Sequence, residues 1–275
     1  MPDTPQRCII LALLGCLPAV AQEAPGGAAK ETHWTGTVGA MAVSTPANPG
    51  SSRARTLLLP TFNAQYGRFY VGSSRVSVGF GAGLQVWGNR TWSWDLGLGV
   101  GDRRPEGRAP ELAGMGDRGF SSSVGTGLQW KSQGWEAKGT LAHGFAQGAG
   151  NRGSLGLGRR VPLAPRWILS LGLNATWADA SAMAYDFGID AEQAAARRKL
   201  VATEDAGPFT PGAGIRNLDG SLSLAFVSGP RTIWHFSLME TTYPGPARHS
   251  PLVSRTSTLS VAMGFSYRFG EGRGF

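Results

Sequence analysis

Residues 259–269, LSVAMGFSYRF, alternate apolar side chains with small or polar ones along their whole length. Successive side chains of a β-strand point to opposite faces, so a period of two places the apolar set on one face of a strand. The same alternation recurs in residues 76–86, 92–100 and 167–177. The sequence therefore predicts a protein built from β-strands.

The residue types on the second face of these strands distinguish between two β architectures. In a soluble sandwich the apolar face is buried, and the exposed face carries polar and charged side chains. Here the second face consists mostly of Gly, Ser, Ala, Asn and Gln. Small polar side chains suit the curved interior of a barrel whose apolar face contacts lipid, and strands of ~10 residues cross a bilayer when tilted. We therefore predict an all-β, transmembrane antiparallel up-and-down barrel.

The connections between the predicted strands alternate in length. If the N-terminus is periplasmic, the even-numbered connections are short turns, and the long connections are all odd-numbered and extracellular, as in outer-membrane barrels. The long connections are residues 44–53, 102–118, 179–212 and 241–256. The twelve predicted strands are 33–43, 54–63, 66–72, 75–86, 91–101, 119–130, 134–145, 152–162, 166–178, 213–227, 230–240 and 257–269.

The composition excludes several other classes of protein. The chain of 275 residues contains 41 glycines, 9 tryptophans and 16% charged residues, a balance that disfavours both helices and disorder. No stretch approaches the ~20 consecutive apolar residues of a membrane-spanning helix. The formal net charge is +8, but the basic residues are dispersed over many strands and turns, so we do not expect nucleic-acid binding.

Most of the tryptophans lie near predicted periplasmic strand ends. Indole side chains favour the membrane–water interface, so this clustering predicts the inner aromatic girdle of an outer-membrane barrel. The tryptophans in this set are Trp34, Trp87, Trp92, Trp130, Trp135, Trp167 and Trp234.

The N-terminus predicts export. Arg7 provides a positive charge, residues 8–17 form a short apolar run, and residues 19–21 read Ala-Val-Ala, a signal-peptidase cleavage pattern. We therefore expect a secretory signal peptide at residues 1–21, an outer-membrane barrel at residues 22–275 and a location in the cell outer membrane.

The two cysteines leave one alternative for processing open. Cys8 and Cys16 both lie in the apolar run, so cleavage after Ala21 leaves a mature chain without disulfides. The alternative is lipoprotein processing at Cys16, although Leu14 fits poorly in the required motif.

Residues 190–201, DAEQAAARRKLV, contain good helix formers, and Asp190 is placed to cap a helix. This helix lies in the long 179–212 connection, for which two alternatives stay open. The connection forms a plug or a partner-contacting loop, or the helix is solvated on the surface between two strands.

No pattern in the sequence predicts a catalytic, cofactor-binding or metal-binding residue. His33, His143, His235 and His249 are isolated, and no zinc-ligand spacing or Gly-x-Ser-x-Gly motif occurs. Residues 79–83, GFGAG, lack the spacing of a nucleotide-binding loop and lie in an alternating strand. We therefore expect a non-enzymatic protein without a cofactor, although a hydrolase assembled from distant strands stays as an alternative.

Five blocks of sequence, taken in order, resemble the MipA/OmpV family, the MltA-interacting outer-membrane proteins. Together they extend over most of residues 34–269. The blocks are LLLPTFNAQYGRFYV (57–71), ELAGMGDRGFSSSVGTGLQW (111–130), YDFGIDAEQA (185–194), PFTPGAGIRNLDGSLSLAF (208–226) and HSPLVSRTSTLSVAMGFSYRF (249–269). The chain departs from the family at TPANPG (45–50), Arg248-His249 and the tail 270–275.

The resemblance implies a scaffold that holds a murein lytic transglycosylase and a peptidoglycan synthase near the outer membrane. The alternative is a narrow porin-like channel for small solutes. We expect a monomer in contact with outer-membrane lipid. The candidate docking regions are residues 22–32, the tail 270–275 and basic residues at the periplasmic turns, which are Arg90, Lys131, Arg166 and Arg231.

Overall fold

A computed structural model describes residues 33–77, 79–146, 148–200 and 207–270. The predicted signal peptide and the docking regions 22–32 and 271–275 lie outside these residues. Twelve antiparallel strands form a closed barrel in which each strand pairs with its neighbours in the chain. The strands are β1 Thr35–Pro46, β2 Ala54–Tyr66, β3 Phe69–Ser73, β4 Phe80–Gly88, β5 Trp92–Gly101, β6 Ser121–Ser132, β7 Trp135–Gly144, β8 Asn151–Ala164, β9 Trp167–Ala178, β10 Gly214–Val227, β11 Thr232–Thr242 and β12 Ser257–Phe269.

The barrel closes where the first strand pairs with the last. The register of β1 and β12 runs from Gly36 opposite Phe269 to Ser44 opposite Val261. Closure leaves no free sheet edge, which a barrel in lipid requires because the membrane offers no other hydrogen-bond partners. The predicted fold and the number of strands are confirmed.

The outward face of the wall is apolar. Leu58 is 77% exposed and Leu155 is 74% exposed, and they belong to an apolar band that continues around the barrel. Such a band would be unstable in water, whereas lipid favours it. Trp87, Trp92 and Trp135 lie at the predicted periplasmic end, each at or next to the end of its strand and each at least 40% exposed. The wall therefore carries the surface that the alternation predicts.

One predicted strand is wrong over its first residues. The prediction 75–86 treats Val76 as part of an outward-facing alternation, but β4 begins only at Phe80. The turn of Ser74–Gly79 is closed by a hydrogen bond of 2.9 Å from the Ser74 N–H to the Gly79 carbonyl, and Gly79 adopts a φ of +94°. Val76 is fully buried. Ser73, the last residue of β3, pairs with Phe80, the first residue of β4. The apolar alternation before Phe80 therefore belongs to a turn and not to a strand.

The described residues of this turn, Ser74–Ser77 and Gly79, fold into the lumen, and we call them the lumenal turn. Glycines on the inner faces of β4, β5 and β6 make room for it. A Cβ atom on Gly125 would lie 3.0 Å from the Val76 carbonyl oxygen, and one on Gly81 would lie 3.1 Å from the Ser74 Cβ atom. The abundance of lumenal glycine thus has a local cause, which is the close approach of an inserted backbone.

Candidate functional site

The four longest outer connections fold together, and we call their described residues the cap. They are residues 47–53, 102–120, 179–200, 207–213 and 243–256. They contain two α-helices, α1 Ala180–Phe187 and α2 Ala191–Leu200. The helix predicted at 190–201 is confirmed as α2 over its described residues.

Both helices begin at a capping aspartate. The Asp190 side chain accepts a hydrogen bond of 2.8 Å from the Gln193 N–H, and the Asp190 N–H donates to the Gln193 side chain at 3.1 Å. This reciprocal pair is a capping box. The Asp179 side chain accepts from the Ala182 N–H at 2.8 Å and starts α1, which the sequence analysis missed. The cap residue Asp179 followed by alanines was the signal that could have revealed this short helix.

The cap crosses the mouth of the barrel. The β5–β6 connection lies on the opposite side of the twelve-stranded ring from the β11–β12 connection, yet Leu112 from the first and Leu252 from the second belong to one buried cluster. Ile189 and Ala47, from the β9–β10 and β1–β2 connections, belong to the same cluster. Loops from opposite sides can share a core only by meeting over the lumen. The 179–212 connection therefore folds over the mouth, and a purely solvated helix is the wrong alternative for it.

A second buried cluster fixes α1 against the strand ends. Phe187 and Met183 are fully buried, and Phe187 meets Tyr243 edge to face with ring centroids 5.9 Å apart. The Phe187 carbonyl accepts a hydrogen bond of 2.7 Å from the Ser250 hydroxyl. The largest buried apolar side chains thus lie mainly in the cap.

Glu111 joins three of the outer connections through hydrogen bonds. Its carboxylate accepts from the Ser51 hydroxyl at 3.0 Å and from the Ser254 hydroxyl at 2.9 Å. Burial by itself raises the pKa of Glu111, but these hydrogen bonds favour the ionised form and lower it overall. The Arg197 side chain of α2 donates to the carbonyls of Glu111 and Ala113, the second at 3.1 Å. Polar contacts therefore tie the apolar clusters of the cap together.

Asp186 attaches α1 to the inner wall of the barrel. Its carboxylate accepts from Arg216 of β10 at 2.7 Å and from Arg152 of β8 at 3.2 Å. Burial alone would raise the pKa of Asp186, but the two guanidinium charges outweigh it and hold the pKa at about 2. This carboxylate therefore stays ionised across the physiological pH range.

Two further arginines stand beside this group. Arg104 and Arg118 pair as an isolated antiparallel bridge between the two arms of the β5–β6 connection. Arg118 lies over the Tyr185 ring, 4.5 Å from its centroid, and donates to the Tyr185 carbonyl. The outer mouth thus combines a packed apolar cap with a concentration of guanidinium groups. Sequence reasoning missed this arrangement because its members are far apart in the chain.

The opposite end of the barrel presents short basic turns. Arg90, Arg166 and Arg231, predicted as candidates, are exposed in three of these turns, and Arg68 is exposed in a fourth. Lys131 lies instead near the end of β6, and its Nζ atom is 4.0 Å from the Oε2 atom of Glu136. The residues of these five turns include no Asp or Glu, so this rim is positively charged.

The histidines occupy separate places in the wall and at its ends. His143 Nδ1 lies 2.8 Å from the Asn151 side chain, and His235 Nε2 lies 2.9 Å from the Ser266 hydroxyl. Within the described ranges, no three His, Cys, Asp or Glu side chains are placed to hold a metal ion. In the same residues, no helix is long and apolar enough to span a membrane.

A protein-family model described as MltA-interacting protein MipA matches residues 38–269 of the chain. The matched range runs from the fourth residue of β1 to the last residue of β12, so it includes the cap and all of the barrel except the first three residues of β1. No curated protein matches the sequence.

Solved structures of bacterial outer-membrane proteins resemble the fold at low sequence identity. The NanC porin is 8% identical with a TM-score of 0.44, and the comparison covers 85% of this chain and 100% of that one. An outer membrane channel from Pseudomonas putida F1 is 10% identical with a TM-score of 0.45, covering 90% of this chain and 99% of that one.

Proposed function

The chain belongs to the family of the MltA-interacting protein MipA, and on that premise we propose that it is a non-enzymatic outer-membrane scaffold. In this role it holds a murein lytic transglycosylase and a peptidoglycan synthase close to the membrane. The observation that carries the proposal is the cap, whose buried core crosses the mouth of the lumen. A barrel covered in this way is better suited to anchoring partners than to passing solutes freely.

The periplasmic rim supplies a surface for these partners. Its turns are short, so a partner meets a shallow face whose chemistry is set by exposed guanidinium groups. Arg68, Arg90, Arg166 and Arg231 are all exposed, and exposed cations steer an acidic partner surface towards them. We therefore assign docking to acidic faces of the murein enzymes.

A pulldown with the purified barrel tests this assignment. Changing the four rim arginines together to glutamine should abolish capture of the two murein enzymes in moderate salt. The matched control changes Arg198, Lys199, Arg248 and Arg255 to glutamine, which removes the same charge from exposed positions on the outer side. Equal capture by both variants, or none by the unaltered protein, would contradict the proposal.

The termini need a separate variant. Deleting residues 22–32 and 270–275 together should leave capture intact if the turns carry the interaction. Loss of capture by this deletion alone would transfer docking to the termini.

The second candidate is a narrow channel, which is favoured by the small polar side chains and glycines of the lumen wall. Single-channel conductance in a planar bilayer, with a salt gradient, separates the two functions. We expect silence from a barrel that shows the heat-dependent gel shift of a folded protein. Steady openings with anion preference would favour the channel.

A further inference from the structure

Arg104 and Arg118 project from one face of a short two-stranded bridge in the mouth. Each backbone N–H donates to the other residue's carbonyl at 2.9 Å, so the two residues lie directly opposite each other. Residues paired in this way in an antiparallel bridge have side chains on the same side. The two guanidinium groups are therefore held close together although like charges repel.

The two terminal nitrogens of the Arg104 guanidinium are buried without an acceptor among the described residues. Both of its terminal nitrogens are inaccessible to solvent, and no residue in the described part of the chain accepts a hydrogen bond from them. Burial, and then the neighbouring Arg118 charge, lower the pKa of Arg104 to about 10. Unpaired buried donors are costly for a folded protein, and two on one cation are more so.

The surrounding acids of the described residues give the terminal nitrogens of Arg104 no hydrogen-bond acceptor. The Asp186 carboxylate acts on the charge of Arg104, but it already accepts hydrogen bonds from Arg152 and Arg216. The charge of this one carboxylate acts on four guanidinium groups, those of Arg104, Arg118, Arg152 and Arg216. The Tyr185 ring lies beneath Arg118 and adds no negative charge. Because Asp186 is already hydrogen-bonded to Arg152 and Arg216, the two terminal nitrogens of Arg104 are left without an acceptor among the described residues.

We propose that Arg104 and Arg118 form a binding site for the phosphate or carboxylate group of a solute that enters the mouth from outside. The terminal nitrogens of a guanidinium form a planar fork that matches two oxygens of such a group. A bound oxyanion would accept from the two unpaired nitrogens of Arg104 and offset the repulsion from Arg118. This site is independent of periplasmic docking and lies at the other end of the barrel.

Titration calorimetry with inorganic phosphate tests the site in the protein purified in an uncharged detergent, at constant ionic strength set with chloride. We expect saturable binding that Arg104→Gln weakens at least tenfold. Arg198→Gln removes the same charge from an exposed position of α2 and should leave the affinity unchanged. Absence of saturable binding, or equal weakening in both variants, would overturn the proposal.

The melting temperature of the heat-dependent gel shift distinguishes a ligand-binding arginine from a structural one. Arg104→Gln should raise this temperature in phosphate-free buffer, because it removes an unpaired buried charge, and should abolish the rise that phosphate produces in the unaltered protein. A lower temperature together with an unchanged phosphate response would make Arg104 structural and overturn the proposal.

A third experiment tests whether the ligand is a free solute or a lipid headgroup. Phosphatidylglycerol added to the micelles presents the same phosphate chemistry attached to a lipid. We expect it to leave the affinity for inorganic phosphate unchanged, since its acyl chains keep the lipid against the apolar outward face of the wall and away from the mouth. Displacement of phosphate by stoichiometric lipid would instead assign the site to a headgroup and overturn the solute proposal.

Discussion

The wall and the cap are both rich in apolar side chains, but Leu58 of the wall is 77% exposed whereas Phe187 of the cap is fully buried. The difference follows from the solvent around each region. The outward wall faces lipid, which accepts apolar side chains at no cost, and its stability comes from the closed ladder of backbone hydrogen bonds. The cap faces water, so it must bury its apolar side chains in a core of its own. The two regions should therefore respond differently to the same substitution.

Removing a large side chain from each region gives the largest contrast. Phe187→Ala should destabilise the cap by ~4 kcal/mol, because it leaves a cavity in the second buried cluster. Phe236→Ala, on the outward face of β11, should cost much less, since lipid fills the space. Protease cleavage of the outer connections in intact membranes measures the cap, and the heat-dependent gel shift measures the barrel. Similar effects of the two variants on cleavage would show that the cap has no core of its own.

Removing the charge that joins the two regions should have the next largest effect. Asp186→Asn leaves Arg152 and Arg216 without their shared carboxylate and should destabilise the cap by ~3 kcal/mol. Because the pKa of Asp186 is lowered from 3.8 to about 2 in the folded state, its stabilisation is complete above about pH 4 and is lost as the pH falls towards 2. Cleavage of the unaltered cap should rise in that interval when measured with an acid-active protease. An equally steep rise in the Asp186→Asn variant would assign the acid sensitivity to another group.

A methyl group placed against the lumenal turn tests whether the wall also depends on close packing inside. Gly125→Ala should destabilise the barrel by ~2 kcal/mol, because the new Cβ would lie 2.8 Å from the Leu141 carbonyl oxygen and 3.0 Å from that of Val76. Gly220→Ala in β10 is the matched control, since no atom lies within 4 Å of its added Cβ. The temperature of the gel shift should fall for the first variant alone. Equal gel-shift temperatures for the two variants would mean that the lumenal turn can move away from the added methyl group at little cost in stability.

The smallest expected effect concerns one helix of the cap. Asp190→Ala removes the capping box of α2 and should cost ~1 kcal/mol, seen as faster cleavage near α2 with an unchanged gel shift. Glu192→Ala removes an equal charge from the first turn without breaking either capping hydrogen bond. If both variants accelerate cleavage equally, charge rather than capping stabilises α2.

The parts of the fold that the sequence predicted are those governed by short-range periodicity. Alternation gave the twelve strands, and Asp190 with its helix formers gave α2. The lumenal turn was missed because Val76 continues an alternation that the chain does not use. The pairing of β3 with β4 ends at Ser73 and Phe80, and no local pattern in the sequence reveals where a pairing between two strands ends.

The same distinction between local patterns and long-range contacts applies to the candidate sites. Arg90, Arg166 and Arg231 were visible because each lies in or beside a predicted short turn, whereas Arg68 was missed because the predicted strand 66–72 included it. The mouth cluster was not visible, because Asp186 is 34 residues from Arg152 and 30 from Arg216. An arginine without an acceptor looks like any other arginine until its surroundings are known, so Arg104 gave no signal.

The sequence by itself determined the barrel, its even number of strands and which face meets lipid, because these depend on a period of two and on the lengths of the connections. Only the tertiary structure decided that the outer connections meet over the mouth, that a turn fills part of the lumen and that several guanidinium groups gather around Asp186. Those features depend on distances between residues far apart in the chain. Closure of the barrel sets these distances, and no local pattern encodes them.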